Sequence, residues 1–172
     1  MVMRKILVIG FLMTLLGIAV GCHDEDVSYL DVSAMEYPLN SMTVISGLTL
    51  DDTLTMKPGS APWDPPTYPY KSRIKNNAPW VSLGFYGGTV EGARPLLVTL
   101  ESVKVKGEKA NAEVLKEELV IVGEGRLEIP LYTKIPLGEY VLSFRVANVS
   151  GSDVVEDAFT VIVTDDKTPW LN

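Results

Sequence analysis

Short segments in which apolar residues alternate with other residues constrain the fold of this chain most strongly. Within residues 140–147 the apolar side chains recur at every second position: Tyr140, Leu142, Phe144 and Val146. Side chains of a β-strand alternate between two faces, so this period of two places four apolar residues on one face of a strand. Comparable segments rich in β-branched and aromatic residues occur at 42–45, 80–85, 96–106, 119–122, 127–132 and 158–164. The sequence therefore predicts an all-β domain, a single antiparallel β-sandwich of about seven strands.

The last two segments are expected to pair with each other. Residues 148–153 are Asn-Val-Ser-Gly-Ser-Asp, which tolerate tight turns. Segments 140–147 and 158–164 can therefore form a terminal antiparallel pair. The same alternation places Tyr140 on the inward face of the strand and predicts that the Ser143 side chain faces solvent.

Two further local patterns refine the prediction. In residues 96–106 the apolar positions change parity at Ser102, and a β-bulge at that point explains the change. The helical pattern at 110–119 is brief, so a turn or a single helical turn is expected there.

The end of the chain resembles a known family of domains. Residues 136–148, Pro-Leu-Gly-Glu-Tyr-Val-Leu-Ser-Phe-Arg-Val-Ala-Asn, followed by Phe-Thr-Val-Ile-Val at 159–163, resemble the closing strand pair of bacterial immunoglobulin-like and cadherin-like domains. The resemblance implies an immunoglobulin-like sandwich. Such domains serve as spacers, as adhesins and as modules of the glycan-capture lipoproteins that accompany starch-utilisation-type transporters, so the resemblance leaves the function open.

The N-terminus has the features of a lipoprotein signal. Arg4 and Lys5 precede an apolar stretch at 6–20 that is short for a membrane span, and the stretch ends in Ala-Val-Gly before Cys22. This arrangement resembles bacterial lipoproteins. It implies cleavage before Cys22, a diacylglycerol on the thiol and a further acyl chain on the freed amino group, which together make a stable membrane anchor. An ordinary secretory signal with an incidental cysteine, or an uncleaved anchor, is the alternative.

The acidic run Asp24-Glu25-Asp26 resembles the surface-export signal of lipoproteins from the Bacteroidetes group. It implies an outer-membrane protein exposed on the cell surface. A hydrated acidic tether is the simpler alternative. The chain is therefore divided into four parts: a signal peptide at 1–21, a lipidated acidic tether at 22–40, the sandwich at 41–166 and a C-terminal tail at 167–172.

Charge and cysteine content exclude several classes of protein. Loss of Arg4 and Lys5 from the 15 basic residues leaves 13 against 22 acidic ones, so the net charge moves from −7 to −9. The negative net charge repels the phosphates of nucleic acid, so nucleic acid is not an expected partner. The single cysteine is assigned to the lipid, so no disulfide is expected within the mature domain.

The inventory of catalytic and metal-binding groups is thin. The sole histidine, His23, stands beside the lipid anchor, where it cannot join a Ser-His-Asp arrangement or a zinc site. The adjacent acid pairs fall at predicted turns or strand ends, where solvated charge explains them: Asp51-Asp52, Glu117-Glu118 and Asp165-Asp166. A calcium loop at 153–157 is a minor alternative. We expect no enzyme, no cofactor and no metal.

Residues 61–70, Ala-Pro-Trp-Asp-Pro-Pro-Thr-Tyr-Pro-Tyr, do not look like routine scaffold. Prolines stiffen a loop and lower the ordering cost of binding, so Trp63, Tyr68 and Tyr70 are predicted to form an aromatic platform for a polysaccharide. The alternative is that these rings pack onto the sandwich and cover its open end. Trp80, at the start of a predicted strand, is expected in the core.

Three functional classes remain open. The first is a non-catalytic glycan-capture module that is accessory to a nutrient-uptake system, with an outer-membrane protein complex as a further partner. The second is a structural or adhesive subunit that binds other proteins, and the third is a spacer. Separately, Asp-Thr-Leu at 52–54 resembles a short O-glycan acceptor motif of exported Bacteroidetes proteins, with Thr53 as the modified residue.

Overall fold

Strands dominate the part of the chain that the computed structural model describes, residues 29–85 and 90–171. In chain order they are β1 (Leu30–Asp31), β2 (Ser41–Ile45), β3 (Trp80–Val81), β4 (Glu91–Gly92), β5 (Leu97–Lys106), β6 (Val120–Val122), β7 (Arg126–Ile129), β8 (Gly138–Asn148) and β9 (Gly151–Thr164). The helices of these residues are α1 (Lys71–Lys75), α2 (Ala112–Glu118) and two 3₁₀ helices, Leu50–Leu54 and Pro169–Leu171. The prediction of an all-β domain is confirmed.

The terminal strand pair is confirmed and is longer than predicted. Strands β8 and β9 run antiparallel from the pair Gly138 and Val163 to the pair Asn148 and Gly151. Only two residues separate the strands, and the Asn148 side chain accepts a hydrogen bond from the Ser150 amide at 2.8 Å. Strand β9 begins at Gly151, so residues 153–157, considered above as a calcium loop, lie within a strand.

Strands β8 and β9 are the inner strands of a four-stranded sheet with the order β2-β9-β8-β5. The register between β5 and β8 shifts between Leu100 and Ser102, which confirms the predicted bulge. Strand β2 pairs with β9 in parallel, so the prediction of a wholly antiparallel arrangement is wrong for this pair. Nearly the whole domain separates β2 from β9 in sequence, and this long connection permits the parallel direction that a tight hairpin forbids.

The main core contains residues of this sheet and of a three-stranded sheet of order β3-β7-β6. Strand β8 contributes Tyr140, Leu142 and Phe144, and β7 contributes Leu127 and Ile129, all without measurable exposure. Burial of each such side chain contributes about 1.5–3 kcal/mol. The finer assignment to an immunoglobulin-like sandwich stays a prediction.

Helix α2 is more regular than the expected turn. The Asn111 side chain accepts a hydrogen bond from the Glu113 amide at 2.9 Å and caps the helix. Leu115 projects from the helix into the core and is fully buried. The predicted strand at 80–85 is shorter than expected, because ladder pairing ends at Val81.

Ser143 is fully buried, whereas the alternation predicted a solvent-facing side chain. The register between β8 and β9 shifts around Ser143, which turns its hydroxyl toward β9. That hydroxyl donates to the Glu156 carboxylate at 2.9 Å and accepts from the Asp157 amide at 3.1 Å. Both hydrogen bonds satisfy a polar group that burial would otherwise penalise.

Residues 29–40 belong to the domain, so the prediction of a tether reaching to residue 40 is wrong for this stretch. Val32 and Tyr37 are both buried in the main core. The Tyr37 hydroxyl donates to the Gly125 carbonyl at 2.9 Å. Its ring centroid lies 4.9 Å from that of Phe159. These contacts extend the folded unit toward the N-terminus, at least to strand β1.

Replacement of Tyr37 by alanine should lower the free energy of unfolding by about 3–5 kcal/mol, because a buried aromatic ring leaves a cavity. Urea unfolding of the two proteins measures the difference. The control is Tyr132→Ala, since Tyr132 is 51% exposed and its loss should change stability by less than about 0.5 kcal/mol. Equally small effects of both substitutions would contradict a core role for the N-terminal segment.

Candidate functional site

A closed loop carries the most exposed aromatic side chain of the described residues. Lys57 and Thr67 exchange two backbone hydrogen bonds, of 2.8 and 2.9 Å, and close residues 57–67 into a unit that we term the Trp63 loop. At its far end the Asp64 amide donates to the Ala61 carbonyl at 3.0 Å and forms a turn. Trp63 lies within that turn and is 83% exposed, as the platform prediction requires.

The composition of the Trp63 loop limits its conformational freedom. Four of its residues are prolines, whose rings fix the backbone dihedral φ: Pro58, Pro62, Pro65 and Pro66. Gly59 stands where a Cβ atom would collide with the Asp64 carbonyl, so only glycine fits this close approach. Trp63 is therefore presented by a backbone with few alternative conformations.

An open groove begins where the Trp63 loop ends. It has a volume of about 500 Å³, and we term it the α1 groove because helix α1 forms one wall. Its lining residues are Thr67, Tyr68, Lys71, Ser72, Lys75 and Asn76. Tyr68 is 43% exposed, and the Lys71 ammonium lies 5.3 Å from the centroid of its ring. The groove thus combines an aromatic ring with hydroxyl, amide and ammonium groups.

Helix α1 has two faces that explain the position of the groove. Lys71 and Lys75 are four residues apart and share the exposed face. Tyr70 and Ile74 have the same spacing and point into a second, smaller core, which consists of Ile45, Leu48, Tyr70, Ile74 and Leu131. This smaller core supports the wall of the groove from behind.

The prediction that Tyr70 is a platform residue is wrong, because its side chain is only 5% exposed. Its hydroxyl donates to the Lys167 carbonyl at 3.0 Å, and its ring lies 6.1 Å from that of Trp170. Burial, with smaller effects of nearby carboxylates, raises the pKa of Tyr70, so the hydroxyl stays a hydrogen-bond donor. Tyr70 anchors the site and does not contact a ligand. Trp63 and Tyr68 remain available.

Residues 167–171, which belong to the predicted C-terminal tail, pack against the folded domain. The Lys167 ammonium contacts the Asp52 carboxylate at 2.8 Å, and Asp52 also accepts from the Thr49 amide at 2.6 Å. Trp170 packs against the smaller core, with the Lys57 ammonium 5.8 Å from its ring. Asp52 and Lys167 therefore join the first 3₁₀ helix to the chain end beneath the Trp63 loop.

Trp80 packs against both cores, in agreement with its predicted core position. The Arg73 guanidinium lies 4.3 Å from the centroid of its ring. The same guanidinium donates to the carbonyls of Ala78 and Pro79. Arg73 is thus engaged within the protein, in contrast to the lysines of the same helix.

In each acid pair predicted to be solvated charge, the first residue is exposed and the second has a partner within the protein. Asp52 is paired as described above, and Glu118 accepts hydrogen bonds from the Thr133 hydroxyl and the Lys134 amide. Asp166 accepts from the Thr168 amide at 2.9 Å. Within residues 29–85 and 90–171, no group of three or more His, Cys, Asp or Glu side chains is arranged to hold a metal ion.

Several predicted sites are not tested by this geometry. Thr53 lies in the first 3₁₀ helix, half-buried, and its hydroxyl donates to the Leu50 carbonyl at 2.8 Å, so O-glycosylation there stays a prediction. The lipidation residue Cys22 and the acidic run 24–26 lie outside the described residues. In the described part of the chain, none of the helices has the length and apolar character needed to cross a membrane.

Comparison of the chain with protein-family models, with curated proteins and with solved structures finds no match. The function is therefore inferred from the chemistry of the Trp63 loop and the α1 groove. Sequence reasoning missed helix α1, although the spacing of Tyr70 and Ile74 was a signal for one buried helical face.

The stability that Asp52 contributes to the domain should depend on pH. Burial alone would raise the pKa of Asp52, but hydrogen bonds from Lys167 and Thr49 outweigh it and hold the pKa below its usual value. The ionised carboxylate therefore contributes stability that is fully present above pH of about 4 and is lost as the pH falls through the lowered pKa.

We expect Asp52→Asn to lower the free energy of unfolding by about 1–2 kcal/mol at pH 7. The difference from the parent protein should shrink as the pH falls from about 4 through the lowered pKa, because the Asp52 carboxylate is then progressively protonated. Urea unfolding at several pH values tests this. Asp51→Asn, which removes the same charge from an exposed neighbour, is the control. A difference between parent and Asp52→Asn that is independent of pH would contradict the assignment.

Proposed function

We propose that this protein is a lipid-anchored, surface-displayed, non-catalytic module that captures polysaccharide for a nutrient-uptake system. The observation that carries the proposal is the exposure of Trp63 on a proline-stiffened loop that leads directly into an open groove. Thr67 belongs to both features, because it closes the loop and lines the groove. A polysaccharide chain can therefore contact the loop and the groove together.

The chemistry of these surfaces suits sugars. Flat aromatic rings pack against the apolar faces of pyranose units, and Trp63 and Tyr68 both present exposed rings. Ser72 and Asn76 line the groove with groups that donate and accept hydrogen bonds, which suits sugar hydroxyls. The rigid loop lowers the ordering cost of binding. The phenol, hydroxyl, amide and ammonium groups of the groove can form hydrogen bonds with a ligand, which supports a binding role.

The N-terminal sequence supports the location. The run Ala-Val-Gly before Cys22 and the acids Asp24, Glu25 and Asp26 suit a lipoprotein exported to the cell surface, where extracellular polysaccharide is available. A neighbouring outer-membrane transporter would be the natural receiver of the captured chain.

A second candidate function is a structural or adhesive subunit that binds other proteins. Val81, Glu128 and Val120 face one another across β3, β7 and β6. Val81 and Val120 are 46% and 54% exposed, and Leu83 nearby is 59% exposed. Exposed apolar side chains on the two short edge strands, on either side of Glu128, favour contact with another protein. A spacer role requires neither surface.

The double substitution Trp63→Ala, Tyr68→Ala should weaken polysaccharide binding at least tenfold, about 1.4 kcal/mol, because both ring contacts are lost. We would measure retention of the full-length lipidated protein, in detergent, on a panel of immobilised polysaccharides. The matched control is Tyr29→Ala, Tyr132→Ala, since both tyrosines are 51% exposed elsewhere on the surface. Absence of binding by a well-folded parent protein to every polysaccharide would contradict the proposal and favour a protein partner.

Substitution of Cys22 by serine should abolish incorporation of labelled fatty acid and release the protein from the membrane fraction, because serine lacks the thiol that carries the lipid. Neutralising Asp24, Glu25 and Asp26 to their amides should leave the lipid in place. It should, however, protect the domain from protease added to intact cells. Fatty-acid labelling that survives in Cys22→Ser would show that the anchor lies elsewhere.

A further inference from the structure

The cationic side chains of this acidic protein are unevenly paired. Of the 13 Lys and Arg residues in the described ranges, seven form ion pairs with carboxylates. Those without a carboxylate partner in the same ranges are Lys57, Lys71, Arg73, Lys75, Lys109 and Lys134. Four of these six lie between residues 57 and 75, in the Trp63 loop or on α1.

Three of those four cations are available to a ligand. Arg73 is engaged by Trp80 and by two backbone carbonyls. Lys71 and Lys75 stand one helical turn apart on the exposed wall of the α1 groove. Lys57, at the neck of the Trp63 loop, borders an adjoining concavity of about 350 Å³. Ammonium groups therefore line the path from the loop into the groove.

We infer that the α1 groove binds acidic polysaccharide, with Lys71 and Lys75 as the residues that recognise the oxyanions. This inference rests on the proposed function and specifies the class of sugar. The Lys71 ammonium lies 5.3 Å from the centroid of the Tyr68 ring. A sugar can therefore stack on Tyr68 while its carboxylate or sulfate contacts Lys71. Lys75, one turn along, suits the acidic group of a neighbouring sugar.

The remaining charges favour a polysaccharide over a nucleic acid. The chain carries a net charge of −7, which repels a dense polyanion at a distance. At physiological salt the field of exposed charges is screened within about 8 Å, so short-range attraction by a few lysines survives beside distant acids. The exposed Asp64 on the loop further limits the charge density that the site accepts. A polysaccharide with one acidic group per sugar has a lower charge density than duplex DNA and meets these conditions.

The test compares polysaccharides with one backbone and different charge: polygalacturonate, the same polymer with methyl-esterified carboxylates, and dextran beside dextran sulfate. The full-length lipidated protein in detergent is titrated against each polymer, and against duplex DNA, at 50 and 500 mM salt. We expect polygalacturonate or dextran sulfate to bind more tightly than its neutral counterpart, with affinity that falls at high salt. A preference for one of the two distinguishes carboxylate from sulfate recognition.

Lys71→Gln, Lys75→Gln should weaken binding to the acidic polymer about five- to tenfold and should weaken binding to the neutral polymer less. The matched control is Lys109→Gln, Lys134→Gln, which removes the same charge from exposed, unpaired lysines elsewhere. Equal binding of neutral and acidic polymers, an equal effect of both variants, or equally tight binding of DNA would overturn the inference. Equal binding of both polymers would leave polysaccharide capture standing, whereas binding of none would overturn the proposed function as well.

Discussion

The rest of the domain depends on the burial of strand β8. Hydrogen bonds to β9 and β5 satisfy both of its edges, and its inward side chains Tyr140, Leu142 and Phe144 are completely enclosed. Part of this face is covered by the three-stranded sheet, part by helix α2 and part by Tyr37, which lies between β1 and β2. The one cysteine of the chain precedes the domain, so the fold is held by packing and by hydrogen bonds.

The candidate site depends on the smaller core in a similar way. Tyr70 links helix α1 to the Lys167 carbonyl, and Lys167 in turn pairs with Asp52. The chain end, the first 3₁₀ helix and α1 are thereby connected beneath the Trp63 loop. A ring as exposed as that of Trp63 can bind with little loss of entropy only if its support is rigid, and these buried contacts provide that support. Tyr70 thus contributes to the site because it is buried.

Local sequence predicted the features that local interactions determine. Period-two alternation identified the main strands, and a change of parity identified the bulge near Ser102, because both follow from the geometry of a single strand. The errors concern residues whose partners are remote. Tyr70 bonds a carbonyl 97 residues away, and Tyr37 bonds one 88 residues away. Ser143 was misplaced because its position depends on the register between two strands, which composition does not specify.

The lysines of the site form no ion pair within the described residues, whereas cations of the sheet do. Lys104 and Arg145 form ion pairs with Asp157 and Glu101, which lie on other strands of the four-stranded sheet. Exposed pairs of this kind contribute about 0–1 kcal/mol each, so the absence of a carboxylate beside the lysines of the Trp63 loop and α1 costs the fold little. Water satisfies their ammonium groups until a ligand replaces it. Folding therefore does not require this clustering of charge, and the exposed ammonium groups are free to contact groups outside the chain.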